Sequence, residues 1–255
     1  MQNTRYTLTS KRPGISFKAC VVADLHDRSY GHILPILKAE RPDFILLPGD
    51  ITEQFSDGVS SPRPGLELLA ECAAIAPSFY ALGNHEIGGC HHNIREAKRA
   101  ERKPDPFVVT LEIKGRIEST GVVLLYQSYT VWNGLVIGGL GSGLLNPGWI
   151  PDLDWLEDYV KTPGYKLLMS HHPEYYDRYL RPYDIDLTVS GHAHGGQWRV
   201  FGRGVYAPDQ KLFPKYTSGV HEGRLVISRG VANSVPVIPR FFNPCEVVTV
   251  TVKAD

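Results

Sequence analysis

Short apolar runs, each followed at once by polar side chains of metal-binding type, constrain the fold of this chain more than any other feature. Helix-like stretches at residues 31–40 and 64–76 separate the first three runs. Strand, helix and strand at this spacing indicate right-handed βαβ units and a parallel sheet. The carboxyl ends of parallel strands meet at one edge, so the polar residues are brought together there. They form the motifs Asp24-Leu25-His26, Gly49-Asp50, Gly83-Asn84-His85, His171-His172 and Gly191-His192-Ala193-His194.

Apolar runs and helical periodicity predict the order of the other elements. Predicted strands lie at residues 17–23, 44–47, 78–82, 166–170, 187–189, 225–228 and 247–252. Predicted helices lie at 31–40, starting near Pro35, and at 64–76, 93–103 and 152–160. Residues 107–140 are rich in β-branched and aromatic side chains, and Lys114-Gly115 and Asn133-Gly134 are typical of hairpin turns. We predict strands at residues 107–113, 121–125 and 129–138, which would form hairpins of a second, more antiparallel sheet.

Length and composition limit the class of protein. The 255 residues are 42% hydrophobic, which is enough for a full core, and no linker or repeat divides them, so a single domain over residues 1–255 is predicted. The 27 basic residues balance 27 acidic ones, so global charge does not point to a nucleic-acid or membrane partner. No apolar run near the ~18 residues of a membrane helix occurs, and the four cysteines are far apart, which predicts a reduced cytoplasmic protein.

Local charge is uneven between Gly195 and Cys245. Only Asp209 and Glu222 are acidic there, whereas the basic residues are Arg199, Arg203, Lys211, Lys215, Arg224, Arg229 and Arg240. This segment either attracts an anionic substrate or forms a solvated basic face.

The chemistry of the strand-end motifs suits divalent metal ions. Imidazoles, carboxylates and one amide without a thiolate favour manganese, iron or zinc, whereas calcium prefers oxygen ligands. Seven protein groups are too many for one open catalytic site but fit two ions that share a carboxylate. Two ions about 3.5 to 4 Å apart can hold a bridging hydroxide and clamp a phosphoryl group. Hydrolysis of a phosphate ester is therefore the predicted reaction class.

The ordered motifs resemble those of the calcineurin-like metallophosphoesterases. The resemblance covers residues 17–200 and is carried by Asp24-x-His26, Gly49-Asp50, Gly83-Asn84-His85-Glu86, Ser170-His171-His172-Pro173 and Gly191-His192-Ala193-His194-Gly195-Gly196-Gln197. The tail, from Tyr206-Ala207-Pro208 to Arg240-Phe241-Phe242-Asn243-Pro244, resembles a branch of bacterial phosphodiesterases. The resemblance implies a four-layer αββα sandwich of two mixed β-sheets flanked by helices. It also implies hydrolysis of phosphodiesters in preference to phosphomonoesters.

The same resemblance implies a role for each motif residue. It assigns Asp24, His26 and His194 to the first ion, Asn84, His171 and His192 to the second, and Asp50 to both. Asp50 and His85 are the implied catalytic residues, and His85 would protonate the leaving oxygen or stabilise the negative charge that develops on it. Neighbouring strand residues face opposite ways, so only one of the adjacent histidines is a ligand. His171 is chosen because it aligns with the family's single histidine.

Other residues near the motifs have two interpretations each. For Cys90-His91-His92 we favour a rim loop over an additional metal cluster. His172 is assigned to the rim or to a hydrogen bond that orients a ligand. Glu86 could orient nearby groups, but a helix or turn residue without a catalytic part is favoured. Phe241 and Phe242 could form an apolar wall for a lipid or nucleoside, but packing against the core is favoured.

Two other functional classes compete with a phosphoesterase. An inactive scaffold of the same fold would bind a protein partner, but such a protein would typically lack ligands, and none of the positions is missing. A two-metal amidase could polarise a carbonyl with the same ions, but the Asn84-His85 pair favours hydrolysis at phosphorus.

The substrate stays open among cyclic nucleotides, nucleic acids, phospholipid headgroups and nucleotide–lipid pyrophosphates. Because the branch often carries a membrane segment that this sequence lacks, a peripheral location at the membrane is the alternative to a purely cytoplasmic one.

Overall fold

Two six-stranded β-sheets form the centre of the computed structural model, which describes residues 1–53, 63–87, 109–142, 151–233 and 238–255. In spatial order, the first sheet contains β1 (Gln2–Thr9), β16 (Glu246–Lys253), β2 (Phe17–Val21), β3 (Phe44–Pro48), β4 (Ser78–Ala81) and β5 (Val123–Leu124). The second contains β14 (Gly219–His221), β15 (Leu225–Ile227), β9 (Leu187–Ser190), β8 (Tyr165–Ser170), β7 (Leu135–Leu140) and β6 (Ser128–Trp132). Two small hairpins follow β9: β10 (Arg199–Val200) with β11 (Arg203–Gly204), and β12 (Tyr206–Ala207) with β13 (Lys211–Leu212).

Both sheets have a parallel centre. In the first sheet β2, β3, β4 and β5 are parallel, β16 runs antiparallel to β2, and β1 is parallel to β16. In the second, β7, β8, β9 and β15 are parallel, and the edge strands β6 and β14 are antiparallel to their neighbours. The predicted βαβ units are therefore confirmed, and antiparallel pairing in the second sheet is confined to its edges.

Helices cover the outer faces of the two sheets. The helices α1 (Leu34–Glu40), α2 (Pro64–Ile75) and α3 (Leu111–Glu118) bury side chains against the first sheet. The helix α4 (Leu156–Lys161) and a π-helical turn at Tyr176–Leu180 cover the second. Pro35 and Pro64 lie in the first turns of α1 and α2, where a missing N–H leaves no intrahelical hydrogen bond unmade. The predicted four-layer αββα sandwich is confirmed.

Strict alternation along the strands separates the core between the sheets from the core under the helices. In β2, Ala19 and Val21 face the second sheet, whereas Cys20 faces the helices. In β3, Phe44 packs between the sheets, and its ring lies 5.2 Å from that of Phe17 and 5.4 Å from that of Trp132. Because the strand period is two, continuous apolar runs indicate strands that are buried on both faces.

The structure corrects the prediction for residues 107–140. Residues 111–113 and the predicted Lys114-Gly115 turn lie inside α3, where the Thr110 side chain caps the helix by accepting from the Ile113 N–H at 3.2 Å. Ile113 and Ile117 are spaced four residues apart on the buried side, which is a helical pattern that the β-branched composition concealed. The predicted strand at 121–125 exists as β5 but joins the first sheet, and only β6 and β7 form the predicted hairpin around Asn133-Gly134.

Two further elements differ from the prediction. The edge strand β1 was not predicted, because its alternation places only Tyr6 and Leu8 against the core and leaves polar residues between them. The helix predicted at 152–160 begins only at Leu156, after a turn in which the Asp152 side chain accepts from the Asp154 N–H. The helix predicted at 93–103 lies outside the described residues. Among the described residues, no helix has the length and apolar character needed to cross a bilayer.

We expect Phe44→Ala to destabilise the fold by about 3–5 kcal/mol, because the truncation leaves a cavity between the two sheets. Urea unfolding followed by circular dichroism measures the change. Val131→Ala on the exposed side of β6 is the control and should shift the free energy of unfolding by no more than about 0.5 kcal/mol. Equal effects of the two substitutions would contradict the assignment of Phe44 to the inter-sheet core.

Candidate metal centre

The structure brings all of the predicted site residues to one edge of the sandwich, at the carboxyl ends of parallel strands. The first sheet contributes Asp24 and His26 after β2, Asp50 after β3, and Asn84 and His85 after β4. The second contributes His171 after β8, and His192 and His194 after β9. All of these residues are buried except His85, whose side chain is 25% exposed. The group therefore lies where the edges of both sheets meet, with His85 nearest to solvent.

Several of these residues leave their strands in the left-handed backbone region. The φ angle is 60° at Asp24, 54° at Asp50 and 65° at His192. Aspartate and histidine tolerate this region better than bulky or β-branched residues do, but it still stores strain at a site. Gly83 permits the approach of the neighbouring loop, since a Cβ there would lie 2.2 Å from Asp50 Oδ1.

The Asp50 carboxylate lies at the centre of the group. Its Oδ2 is 3.1 Å from His171 Nε2 and 3.9 Å from both His26 Nε2 and His85 Nε2. Asp24 Oδ1 is 3.9 Å from His194 Nε2 and 4.0 Å from His171 Nε2. The potential ligand atoms of Asp24, His26 and His194 all lie within 4.8 Å of one another. The same is true of those of Asp50, His171 and His192.

The donor atoms fit divalent cations. Asp24 Oδ2 and His26 Nε2 are buried and have no hydrogen-bond partner among the described residues. Leaving such groups unsatisfied costs about 1–3 kcal/mol each, which a bound cation would offset. His171 Nδ1 donates to the Pro48 carbonyl at 2.8 Å, so its Nε2 faces the carboxylates. Nitrogen and oxygen donors without sulfur suit manganese, iron or zinc.

Electrostatics prepares the same atoms for metal binding. Burial opposes the charge of Asp50, but the imidazoles of His171 and His85 outweigh it and hold the Asp50 pKa well below its usual range. Burial lowers the pKa of His171 while the Asp50 charge raises it, to about 9. Burial, together with the positive charges of His26 and Arg240, holds the pKa of His194 well below its usual range and keeps this ring neutral. A histidine binds a metal ion in its neutral form. His194 already has this form, whereas His171 would lose its proton when a cation binds.

The adjacent histidines have different surroundings. His171 faces Asp50, whereas His172 turns away from it. The His172 ring stacks on Tyr175 at 4.8 Å, its Nε2 contacts the Ser142 hydroxyl, and its Nδ1 lies 3.2 Å from Glu174 Oε1. Of the two rings, His171 is the one that lies against the central carboxylate.

Three carboxylates beside the site were not identified from the sequence. Glu53 Oε2 lies 2.8 Å from His85 Nδ1, and contacts with His26 and His85 outweigh burial and lower the Glu53 pKa to about 2. Glu53 follows Asp50 by three residues, so its place in the motif loop is the one signal that could have identified it.

Asp209 and Glu174 approach the second half of the site. Asp209 Oδ2 lies 3.1 Å from His192 Nε2 and 3.5 Å from His172 Nδ1, and Glu174 completes a cluster of four with them. A carboxylate that accepts from a ligand imidazole orients the ring. Asp209 lies in the β12–β13 connection, fifteen residues beyond His194, and no spacing in the sequence links it to the motifs.

Glu86 connects the two loops that carry Asp50 and Asn84. Its buried carboxylate accepts from the backbone N–H groups of Asp50, Ile51, Thr52 and Gly83 at 2.6–3.0 Å and from the Tyr80 hydroxyl at 2.6 Å. Glu86 lies in a turn, as predicted. Its contacts also support the interpretation that was not favoured, because they orient the backbone of the two loops that carry Asp50 and Asn84.

Most of the basic residues between Gly195 and Cys245 are structural. Arg199 donates to the Gly195 carbonyl, Arg224 to the Ile185 carbonyl, and Arg229 pairs with Glu246. Arg240 donates to the backbone carbonyls of Arg229 and Ala232, and its Nη2 lies 3.1 Å from His194 Nδ1. Neither a solvated face nor a uniform substrate surface describes this segment, because most of its guanidinium groups hold the loops together.

The prediction that Phe241 and Phe242 pack against the core is wrong. Their exposed fractions are 54% and 88%, and the Phe241 ring centroid lies 6.3 Å from that of Trp198, which is itself 42% exposed. Arg240 anchors the chain immediately before them, and the buried Asn243 anchors it immediately after them by donating to the His194 carbonyl at 2.7 Å. The Cys90-His91-His92 segment lies outside the described residues.

Comparisons with known proteins agree with this architecture. Residues 17–196 match the family model of the calcineurin-like phosphoesterases. An uncharacterized metallophosphoesterase from Campylobacter jejuni is 26% identical over 232 residues, and the match covers 90% of this chain but only 56% of that relative's length. Phosphodiesterase YaeI of Escherichia coli is 27% identical over 231 residues, covering 85% of this chain and 76% of that protein.

A solved structure of a metallophosphoesterase from Sphaerobacter thermophilus is 15% identical, with a TM-score of 0.37, and the match covers 86% of this chain and 79% of that chain. The family match includes every strand-end motif and spans well over half of the sequence. The chain therefore belongs to the calcineurin-like phosphoesterase family.

Proposed function

We propose that this chain is a phosphodiesterase that depends on two divalent metal ions. The position of Asp50 carries the proposal. Its buried carboxylate lies between imidazoles from both sheets, at 3.1 Å from His171 and 3.9 Å from His26. A carboxylate in that position can be shared by two ions, whereas a single ion would leave one side of the group without a charge partner.

This geometry and the family resemblance support two ligand sets. Asp24, His26 and His194 would hold one ion, Asn84, His171 and His192 the other, and Asp50 would bind both. When bound, two ions such as manganese, iron or zinc supply an activated water and neutralise charge on the phosphoryl oxygens. The ligand imidazoles are oriented by the protein, through Pro48 for His171 and Asp209 for His192.

His85 would donate the proton that the leaving oxygen needs. Its ring is the most exposed of the site, so it lies where a substrate enters. The Glu53 carboxylate accepts a hydrogen bond from His85 Nδ1. The other ring nitrogen of His85, Nε2, faces the site and lies 3.9 Å from Asp50 Oδ2. Protonation of a leaving group by a positioned side chain contributes about 10²–10⁴-fold to the rate.

A diester is the proposed substrate class. The Escherichia coli relative is named a phosphodiesterase, which supports this choice for the present chain. An inactive scaffold is disfavoured, because the ligand set and the Asn84-His85 pair are complete.

We expect Asp50→Asn to lower kcat/KM by about a thousandfold or more and to reduce the bound metal, because the amide removes the shared negative charge. Turnover of bis(p-nitrophenyl) phosphate and elemental analysis of the protein measure the two effects. Asp154→Asn, at an exposed position, is the matched control and should behave as the wild type. Normal turnover by metal-loaded Asp50→Asn would rule out the proposed site.

His85→Ala should slow the cleavage of an alkyl phosphodiester by about 10²–10⁴-fold but affect a nitrophenyl ester much less, because a nitrophenolate leaves without protonation. The ratio of kcat for the alkyl diester to kcat for the nitrophenyl ester, compared between variant and wild type, measures the contribution of His85 as the acid. His221→Ala, on the edge strand β14, serves as the control. An equal loss for both leaving groups would show that His85 does not act as the acid.

The proposed substrate class predicts a higher kcat/KM for bis(p-nitrophenyl) phosphate than for p-nitrophenyl phosphate. Manganese, iron and zinc are tested in turn on the protein after removal of metal by a chelator. The chelated protein should be inactive with both esters, and the preference should keep its direction with each metal. A preference for the monoester would contradict the assignment as a phosphodiesterase.

A further inference from the structure

Three phenylalanine side chains project into solvent at positions where the backbone is strained. The exposed fraction is 102% for Phe201, 77% for Phe213 and 88% for Phe242. Their φ angles are 49°, 51° and 53°, in the left-handed region that suits glycine and asparagine. A bulky residue there costs about 1–3 kcal/mol, and an exposed ring gains no burial in return. Folding alone therefore gives no reason for an aromatic residue at any of the three positions.

Two of these rings, Phe201 and Phe213, belong to one surface, which is built by the two small hairpins and adjoins the segment after Arg240 at Phe241. Val200, Phe201 and Phe213 line a common cavity of about 480 Å³. The Phe213 N–H donates to the Val205 carbonyl, the Val205 N–H to the Trp198 carbonyl, and Trp198 packs against Phe241. We call this surface the aromatic edge, and it consists of Trp198, Val200, Phe201, Leu212, Phe213 and Phe241.

The charge beside the aromatic edge is positive. Arg203 and Lys211 are exposed in the same hairpins, and neither has an ion pair within the described part of the chain. The one acid in these hairpins, Asp209, points inward to His172 and His192. Exposed apolar rings and unpaired cations thus share one face.

We propose that the aromatic edge docks this protein on the surface of a lipid bilayer that contains anionic headgroups. Aromatic and aliphatic side chains insert at the boundary of headgroups and acyl chains, and basic side chains beside them are attracted to anionic lipids. Contiguous exposed apolar surface of this kind is uncommon on a protein that stays in water.

A bilayer explains the shape of the aromatic edge better than a protein partner does. Phe201 lies at the turn between β10 and β11 and contacts almost nothing, and Phe213 follows the end of β13. A protein partner would have to supply a separate pocket for each projecting ring, because hot-spot side chains bind in well-packed pockets. Lipid accepts such rings without a complementary shape.

The aromatic edge is connected to the metal centre by a short piece of chain. The β12–β13 connection carries Asp209, which contacts His192, and continues into Leu212 and Phe213. Docking would therefore place the strand-end site close to the headgroup level, where a phosphoester of a lipid lies. The docking itself needs neither metal nor hydrolysis, so it goes beyond the proposed function and stands independently of it.

Co-sedimentation of the full chain with sucrose-loaded vesicles tests the inference. We expect binding to phosphatidylcholine vesicles that contain phosphatidylglycerol, and at least tenfold weaker binding to phosphatidylcholine alone. The double variant Phe201→Asn with Phe213→Asn should lose at least tenfold in vesicle affinity. Its thermal midpoint should stay equal or rise, because asparagine tolerates the left-handed backbone. Leu111→Asn on α3 removes an equally exposed apolar side chain elsewhere and should bind as the wild type does.

A charge variant tests the second half of the inference. Each basic residue near an anionic surface contributes about 1 kcal/mol, so Arg203→Gln with Lys211→Gln should weaken vesicle binding roughly thirtyfold. Binding should also fall as salt is raised. No binding to anionic vesicles, equal binding by the Phe201 and Phe213 double variant, or equal binding to neutral vesicles would overturn the inference. The inference would also be overturned if the wild type self-associates and the Phe201 and Phe213 double variant does not. The aromatic edge would then be an interface between copies of this chain.

Discussion

One buried carboxylate determines how the first sheet presents its ligands. Glu86 accepts from three consecutive N–H groups of the Asp50 loop and from Gly83, which begins the Asn84-His85 loop. These two loops leave neighbouring strands, and nothing in the strand pairing fixes their separation beyond the sheet edge. A single acceptor that satisfies donors of both loops does fix it, because each buried N–H left unpaired would cost free energy. Catalytic sites need this kind of support from residues that never touch the substrate.

The second constraint is the distance between the sheets, since each proposed ion takes ligands from both. Backbone contacts bridge the two sheet edges: Asp24 Oδ1 accepts from the His192 N–H at 3.0 Å, and His171 Nδ1 donates to the Pro48 carbonyl. Directly beneath them, Ala81, Val21 and Met169 pack in the core between the sheets. The same packing that stabilises the sandwich therefore sets the spacing of the ligands.

The sequence predicts well what depends on local pattern. Apolar runs with a polar residue at the end locate the ligand positions, because strand direction alone brings those ends to one edge. Contacts made by loops are different: Glu53 and Asp209 reach His85 and His192 only through loop paths that no periodicity encodes. Composition is a poor guide to α3, where β-branched residues lie at helical spacing, and to Phe241 and Phe242, where aromatic character does not mean burial. The half-exposed strand β1 gave too weak a signal to be recognised.

The left-handed backbone of the strand-end residues has a consequence for how such proteins diverge. Asp24, His26, Asp50, His192 and His194 all have φ between 47° and 65°. A related protein that no longer needed these side chains would become more stable by replacing them with glycine or asparagine. Loss of the site would then be favoured by stability and not merely tolerated. A chain that still carries an aspartate or a histidine at all five positions bears a standing cost in stability. At these five positions, the side chain that the proposed site needs is therefore one that strains the local backbone.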